Sequence, residues 1–327
     1  MTDIPAATQV PVDQTRPQNA AAQVGDPGRP EVLAIANVAA RAAQEQQIAE
    51  AMVALRERAD VELVFPADLD ELRAALEVQG ARRLVVLGGD GSMHAVAGAL
   101  DRLGRLDAAG PVGVVPLGTG NDLARTLGVP LDIADAARVA LDGVGRAADV
   151  LRADDGSLVV NAVHAGIGAE AAARTERHKG VLGAAGYTAG AVGAGLVEKG
   201  WRLRVTVDGQ VLDDGREPVL MVAVGLGTSI GGGARVAPDA SPFDGMADVV
   251  VSSSTGPLSR VGYALAMRTG AHIDRDDVRT TRGRHVVVEA VDERSAFRTD
   301  ADGEVEGPFR HRSWRVEPRG WQLVAPA

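Results

Sequence analysis

The sequence predicts an α/β protein of two textures: a parallel sheet flanked by helices, then a mostly antiparallel β region. Three observations support this. Short apolar runs alternate with helical patterns from Val32 to about Val129. Two of those runs end in glycine-rich turns, Gly88-Gly89-Asp90-Gly91-Ser92 and Gly118-Thr119-Gly120-Asn121-Asp122, and each turn opens an amphipathic helix. From Asp149 onward, strand-like runs are separated by turn signals instead of helices.

Residues 1–30, rich in Pro, Gln, Asp and Gly and without periodicity, read as a disordered tail. Val32–Ala36 reads as a buried strand, with Asn37 placed to cap a helix in which Ile48, Met52 and Leu55 share a face. Val61–Phe65 is the second strand, and the next helix, 68–78, aligns Leu69, Leu72 and Leu76. Leu84–Leu87 is the third strand, and the helix after its glycine turn gathers Met93, Val96, Ala97, Leu100 and Leu103. Val112–Val115 is the fourth, followed by a helix carrying Leu123 and Leu127 that stops at Gly128-Val129-Pro130. The β region holds runs at Leu158–Val163, Leu203–Val207, Val219–Val224, Ala247–Val251 and His285–Ala290, with one solid helix at Leu258–Arg268.

Composition excludes several functions. With 327 residues and 46% hydrophobic content, the chain is long enough for two domains with sizeable cores. Aromatics are 3%, so Val, Leu and Ala fill those cores. The net charge of −10 argues against general nucleic-acid binding. The absence of Cys excludes disulfides, thiolate metal sites and a Cys nucleophile, and suits a cytoplasmic protein. The N-terminus lacks signal-peptide features, and the longest apolar stretch, near 181–197, is too weakly hydrophobic to span a bilayer. Lysine occurs only at Lys179 and Lys199, which rules out a P-loop or a protein-kinase strand lysine. Phosphate handling must therefore use backbone N–H groups, helix termini, Arg and metal.

The two glycine turns suit that task. Each stands at the carboxyl end of a strand, where open parallel sheets bind ligands, and successive N–H groups with a helix dipole attract anions. Asp90 within the first cradle suggests a bridging Mg²⁺, and Ser92 is placed to cap its helix or donate to phosphate. Thr119 offers a second donor, while Asn121 is placed as a cap. Two further clusters stand out. Asp300-Ala301-Asp302-Gly303-Glu304 gathers carboxylates at a turn, and Pro238–Met246 is a Pro/Asp-rich loop whose carbonyls suit a hard cation.

In this order the motifs resemble the diacylglycerol kinase catalytic-domain family, especially bacterial soluble lipid kinases related to sphingosine and ceramide kinases and, more distantly, to NAD kinases. Pro116–Arg125 matches the second nucleotide motif throughout, and Leu87–Ser92 matches the first with Ser for the usual Thr. Val159–Gly168, Tyr187, Gly231–Gly233, Pro238–Val249 and Asp302-Gly303-Glu304 follow in family order. The resemblance implies an ATP-binding domain over 31–148, rejoined by a strand from 311–327, and a lipid-substrate β-sandwich over 149–310. It implies ATP contacts at Asn37, Gly88, Gly89, Asp90, Gly91, Ser92, Gly118, Thr119, Gly120 and Asn121. It places catalytic carboxylates at Asp302 and Glu304 with Asp149 organising metal, and a structural Mg²⁺ at Ser241, Asp244 and Met246. The implied reaction is Mg²⁺-dependent transfer of the γ-phosphate of ATP to a lipid hydroxyl, Asp302 or Glu304 acting as general base.

The chain departs from the family pattern in places. Only Asn37 survives of the first family motif, Phe65-Pro66 replaces the expected Thr, Ala95 (after His94) replaces a Glu, and Phe243 replaces an acid of the metal loop. Those losses keep open a nucleotide- or lipid-sensing pseudokinase; an NAD-kinase-like enzyme is a further alternative that Gly120-Asn121-Asp122 fits poorly. The expected partner is a lipid at a membrane surface, met peripherally and transiently through a basic rim of Arg174, Arg177, His178, Lys179, Lys199, Arg202 and Arg204. No nucleic-acid partner is expected, and the oligomeric state is open, a homodimer included.

Overall fold

The computed structural model describes residues 28–38, 44–177 and 200–327. The expected tail lies outside them apart from residues 28–30, as do Tyr187, His178, Lys179, Lys199 and the side chains of Arg174 and Arg177.

Four parallel strands build the first layer: β1 (Glu31–Ala36), β2 (Asp60–Val64), β3 (Arg83–Gly88) and β4 (Val112–Pro116). β1, β3 and β4 are almost wholly buried, as near-continuous apolar runs require. Helix α1 (Glu45–Arg56) starts behind Gln44, so Asn37 does not cap it. Helix α2 (Leu69–Glu77) is capped by Asp68, which accepts from the N–H groups of Asp70 and Glu71 at 2.9 Å. Leu72 and Leu76 are buried, but Leu69 in the first turn stays 47% exposed, contrary to the expected three-leucine face. Helix α3 (Asp90–Arg102) buries Met93, Val96, Ala97 and Leu100. Helix α4 (Asp122–Thr126) is a short turn after β4.

Helix α5 (Ile133–Asp142) was not anticipated. Its buried face is Ala136, Ala137 and Ala140, which gives no bulky apolar period. The small face has a use: a Cβ on Gly113 of β4 would lie 2.9 Å from the Ala140 Cβ.

The two textures share a sheet. Strand β5 (Val144–Ala153) runs unbroken through residues 148 and 149 and pairs with the long β16 (His311–Ala325). β16 also meets β4 in parallel at Leu323↔Val112 and pairs antiparallel with β13 (His285–Ala290). The full order is β2-β1-β3-β4-β16-β13-β8-β9, with β8 at Leu203–Val207, β9 at Gln210–Asp214, and β6 (Leu158–Val159) beside β5.

A second, antiparallel sheet lies against it in the order β12-β11-β10-β7-β14-β15. Its strands are β7 (Ala162–Gly166), β10 (Met221–Gly225), β11 (Ala247–Ser252), β12 (Val278–Gly283), β14 (Phe297–Ala301) and β15 (Glu304–Phe309). Between the sheets sit Val163, Leu203, Val205, Val222, Val249, Val286, Phe297 and Trp314. This is the sandwich, packed with valine because aromatics are few. Two helices leave it: α6 (Ile167–Arg177), also unanticipated, and α7 (Pro257–Met267), close to the expected span.

Because β16 is the central strand joining both halves, a chain ending at Arg310 is expected to lose its cooperative thermal transition. Circular dichroism melts test this. A sharp melt within about 5 °C of the full chain would contradict the central role of β16.

Candidate active site

The two glycine turns touch. A Cβ built on Gly89 would lie 2.8 Å from the Gly118 Cα, and one on Gly118 would lie 2.6 Å from the Gly89 Cα. No side chain fits at either position. The contact is pinned by the Leu117 N–H donating to the Gly88 carbonyl at 3.1 Å. Asn121, in the left-handed region at φ 56°, folds back on Gly118, accepting from its N–H at 3.0 Å and donating to its carbonyl at 2.7 Å. Asn121 is therefore a staple of the turn and not the helix cap that its position suggested.

The cap of α4 comes from the other turn. Asp90 accepts from the Leu123 N–H at 2.9 Å and also from the N–H of Asp122. Burial raises the Asp90 carboxyl above its usual range, and the nearby Asp122 and Asp302 charges add to this, against those two N–H bonds. Asp90 thus has a structural role as the cap of α4. Ser92 likewise caps nothing: the N-cap of α3 is Gly89, without a side-chain bond.

Asp122, which sequence reasoning left out of the site, locks the first domain to the second. Its buried carboxylate accepts from Ser229 Oγ and from the N–H groups of Gly232 and Gly233, all at 2.8 Å. Gly231, Gly232 and Gly233 all have positive φ, a run available only to glycine. Three successive glycines beside an Asp-bearing turn were the sequence signal for this contact.

Asp302 sits in the turn between β14 and β15 at φ 51°, its side chain fully buried. One carboxylate oxygen accepts from the N–H groups of Asn161 and Ala162 at 3.0 and 3.1 Å. The other accepts from the Val160 N–H at 2.7 Å and meets His94 Nδ1 at 3.0 Å. His94 lies on α3, four residues into the helix that follows the first glycine turn. Burial opposes charge on its ring, but the Asp302 hydrogen bond and charge, with Glu304 adding, outweigh it and raise its pKa above 6.5. Glu304 is exposed. His94 was legible only as the residue before Ala95; its partner lies 208 positions away.

A pocket of about 240 Å³ opens at the carboxyl ends of β1 and β2. Asn37, Pro66, Asp68, Leu72, Ser92 and Ala95 are among its walls. The three positions where the chain departs most from the family pattern around the first turn, near Asn37, Pro66 and Ala95, therefore line one cavity.

Asp149 adjoins the loop of Ser241, Asp244 and Met246, its N–H donating to the Pro242 carbonyl at 2.7 Å. Asp149 is 1% exposed and accepts from the N–H groups of Gly245 at 2.7 Å and Arg319 at 2.9 Å. In the adjoining loop, Ser241 Oγ accepts from the Phe243 N–H at 3.4 Å, and Asp244 accepts from the Met246 N–H at 3.1 Å. Asp244 also pairs with Arg282, which reaches Asp248 at 3.2 Å, and Arg146 stacks 3.7 Å above the Phe243 ring. The one carboxylate of this set thus faces a guanidinium, which competes with a cation for it, and its neighbour is an aromatic ring under another guanidinium. Among the described residues, no three His, Asp or Glu side chains are arranged to hold a metal. Nor is any described helix long and apolar enough to cross a membrane. Of the expected basic rim, Arg202 and Arg204 are described: Arg202 donates to the Gly215 carbonyl at 3.2 Å, and Arg204 is exposed on β8.

Comparison with known proteins agrees with this architecture. Residues 31–153 match the model of the diacylglycerol kinase catalytic domain, and residues 161–325 match that of the YegS C-terminal NAD kinase beta sandwich-like domain. A diacylglycerol kinase of Mycobacterium tuberculosis (strain ATCC 25618 / H37Rv) is 31% identical over 271 residues, covering 79% of this chain and 82% of that protein. One from Bacillus subtilis (strain 168) is 28% identical over 236 residues, covering 70% and 75%. The crystal structure of a diacylglycerol kinase from Bacillus anthracis str. Sterne shares the fold with a TM-score of 0.64 at 20% identity, covering 90% of this chain and 96% of that one.

The charge balance of the Asp244 loop predicts that chelation with EDTA moves the melting midpoint by less than about 1 °C. Asp149→Asn, which leaves a buried N–H facing an amide NH₂, should cost about 1–3 kcal/mol in urea unfolding. A large EDTA shift, or a neutral Asp149→Asn, would contradict the two halves of this reading separately.

Proposed function

We propose that this chain, which belongs to the diacylglycerol kinase family of lipid kinases, transfers the γ-phosphoryl group of MgATP to a primary hydroxyl of a lipid, with diacylglycerol as the default acceptor. The observation that carries the reading is the contact of the two glycine turns at the start of the helix that bears His94, the partner of Asp302. Such a cradle binds phosphates through backbone dipoles and needs no lysine.

The nucleoside is assigned to the pocket of Asn37, Pro66 and Ala95, and the phosphates to Gly88–Ser92 and Gly118–Asn121. The carboxylates of Asp122 and Asp302 are already committed to protein donors. Mg²⁺ therefore enters with the nucleotide as part of the substrate. It neutralises phosphate charge there.

In the transfer, the lipid hydroxyl oxygen bonds to the γ-phosphorus as the bond to the β-γ bridging oxygen breaks, and that oxygen leaves on ADP. The hydroxyl proton goes to His94 Nε2. Asp302 accepts from Nδ1–H and so fixes the tautomer that leaves Nε2 basic. Asp302 is thus a positioning residue. Glu304, exposed at the same turn, is the competing acceptor.

Labelled ATP incubated with a short-chain diacylglycerol in detergent micelles should yield labelled phosphatidic acid. ATP binding without product would favour the sensing reading, which the apolar replacements at Pro66 and Ala95 motivate. His94→Asn is expected to lower kcat by about 10²-fold or more with KM for ATP little changed; Glu304→Gln should have the smaller effect. Because the His94 pKa is raised, the wild-type rate should climb as pH rises through a value above 6.5, and that limb should vanish in His94→Asn. A pH profile with the same limb in both proteins would remove His94 as the base. In the cradle, Gly118→Val should weaken ATP binding by at least about ten-fold by calorimetry, since its side chain must push Gly89 away.

A further inference from the structure

Helix α7 is turned inside out relative to an ordinary surface helix. Its exposed positions, together with the residue just after it, are Pro257, Leu258, Val261, Ala264, Leu265 and Arg268. They recur at helical spacing along one face, and all but the last are apolar. Leu258 is 89% exposed, Leu265 60% and Val261 46%. The polar Arg260 and the Tyr263 ring face inward, Tyr263 packing edge-on against His272 at 5.3 Å. A helix in water normally places such residues the other way round, so an outward apolar stripe marks a surface built for a non-aqueous partner.

We propose that this face of α7 docks on a lipid bilayer carrying anionic headgroups. The proposal rests on the lipid-kinase reading and deepens it by naming the surface through which the enzyme meets its substrate. Two observations select a bilayer over another occupant. The first is charge: the helix carries no acidic residue, Arg268 closes the stripe, and exposed Arg235 sits beside that end with its N–H on the Met267 carbonyl at 3.0 Å. Apolar side chains flanked by arginine are what a lipid interface with anionic headgroups accepts. The second is continuity with the site. Arg235 lies two residues after Gly233, and Gly232 and Gly233 donate to Asp122 beside the second glycine turn. The docked end of the helix therefore leads directly to the cleft where a lipid hydroxyl must arrive.

The test is sedimentation of the full chain, without nucleotide, with vesicles of phosphatidylcholine alone or with phosphatidylglycerol added. The wild type should sediment better with the anionic vesicles. The double variant Leu258→Ser/Leu265→Ser should lower vesicle partitioning at least about ten-fold. Arg268→Gln should weaken binding a few-fold, and only on the anionic vesicles. Both variants should keep the wild-type melting midpoint, and both should phosphorylate a monomeric short-chain diacylglycerol within about two-fold of wild type, because α7 supplies no group to the cradle.

Wild-type protein that stays in the supernatant would overturn the proposal, as would a double variant that sediments like wild type. A dimer in solution that the double variant dissolves, without vesicle binding, would reassign the face to a second copy of the chain. Vesicle binding lost in the double variant would stand even if no lipid were phosphorylated, so failure of the kinase reading and failure of the docking surface are separable.

Discussion

The buried carboxylate of Asp302 holds the two domains of this molecule in register. It gathers three consecutive backbone N–H groups at the entry to β7 and a ring nitrogen from α3. Carried by the hairpin of β14 and β15, it draws partners from the start of β7 and from the first domain. The desolvation of a buried carboxylate is offset here by four hydrogen-bond donors. With one partner gone, the others face an uncompensated group, so the arrangement is fixed as a unit.

The same device recurs at the other seams. Asp90 caps α4 from the neighbouring turn, Asp122 closes over the glycine run of the second domain, and Asp149 ties the Gly245 turn to the β16 bulge. Each side chain takes backbone N–H groups that lack a strand or helix partner. The consequence for function is preorganisation. The glycine turns are already in contact, so a ligand of the kind proposed would find that part of the site ordered.

Much of this was legible from the sequence because it is local. Strand, glycine turn and helix follow one another within a few residues at both 88–92 and 118–122, and the apolar periods of α3 and β3 need no distant information. What failed to show was set by long-range geometry. The role of the Asp90 carboxylate as acceptor for Leu123, 33 residues on, has no local signal. Asn121 reads as a cap until its left-handed backbone turns the side chain onto Gly118. His94 carries no local signal of its pairing with Asp302. The alanine face of α5 is silent because its partner is a glycine, and Leu69 obeys the helical period yet stays exposed at the first turn. The apolar face of α7 has the opposite character: its period is plain in the sequence, but only the fold reveals that it points outward.

The place of β16 bears on how the protein comes into being. It follows every other described strand in sequence, yet it lies between β4 and β13 in the middle of the larger sheet. During synthesis β4 therefore presents an open edge until residues 311–325 emerge, and the Asp302 hairpin arrives barely ahead of them. Long sequence separation makes this closure slow, and an unpaired edge invites association with other chains while it lasts. A ribosome-bound fragment would hold the glycine turns but lack the strand that closes the sheet beside them, so the finished arrangement would arise only once residues 311–325 are translated.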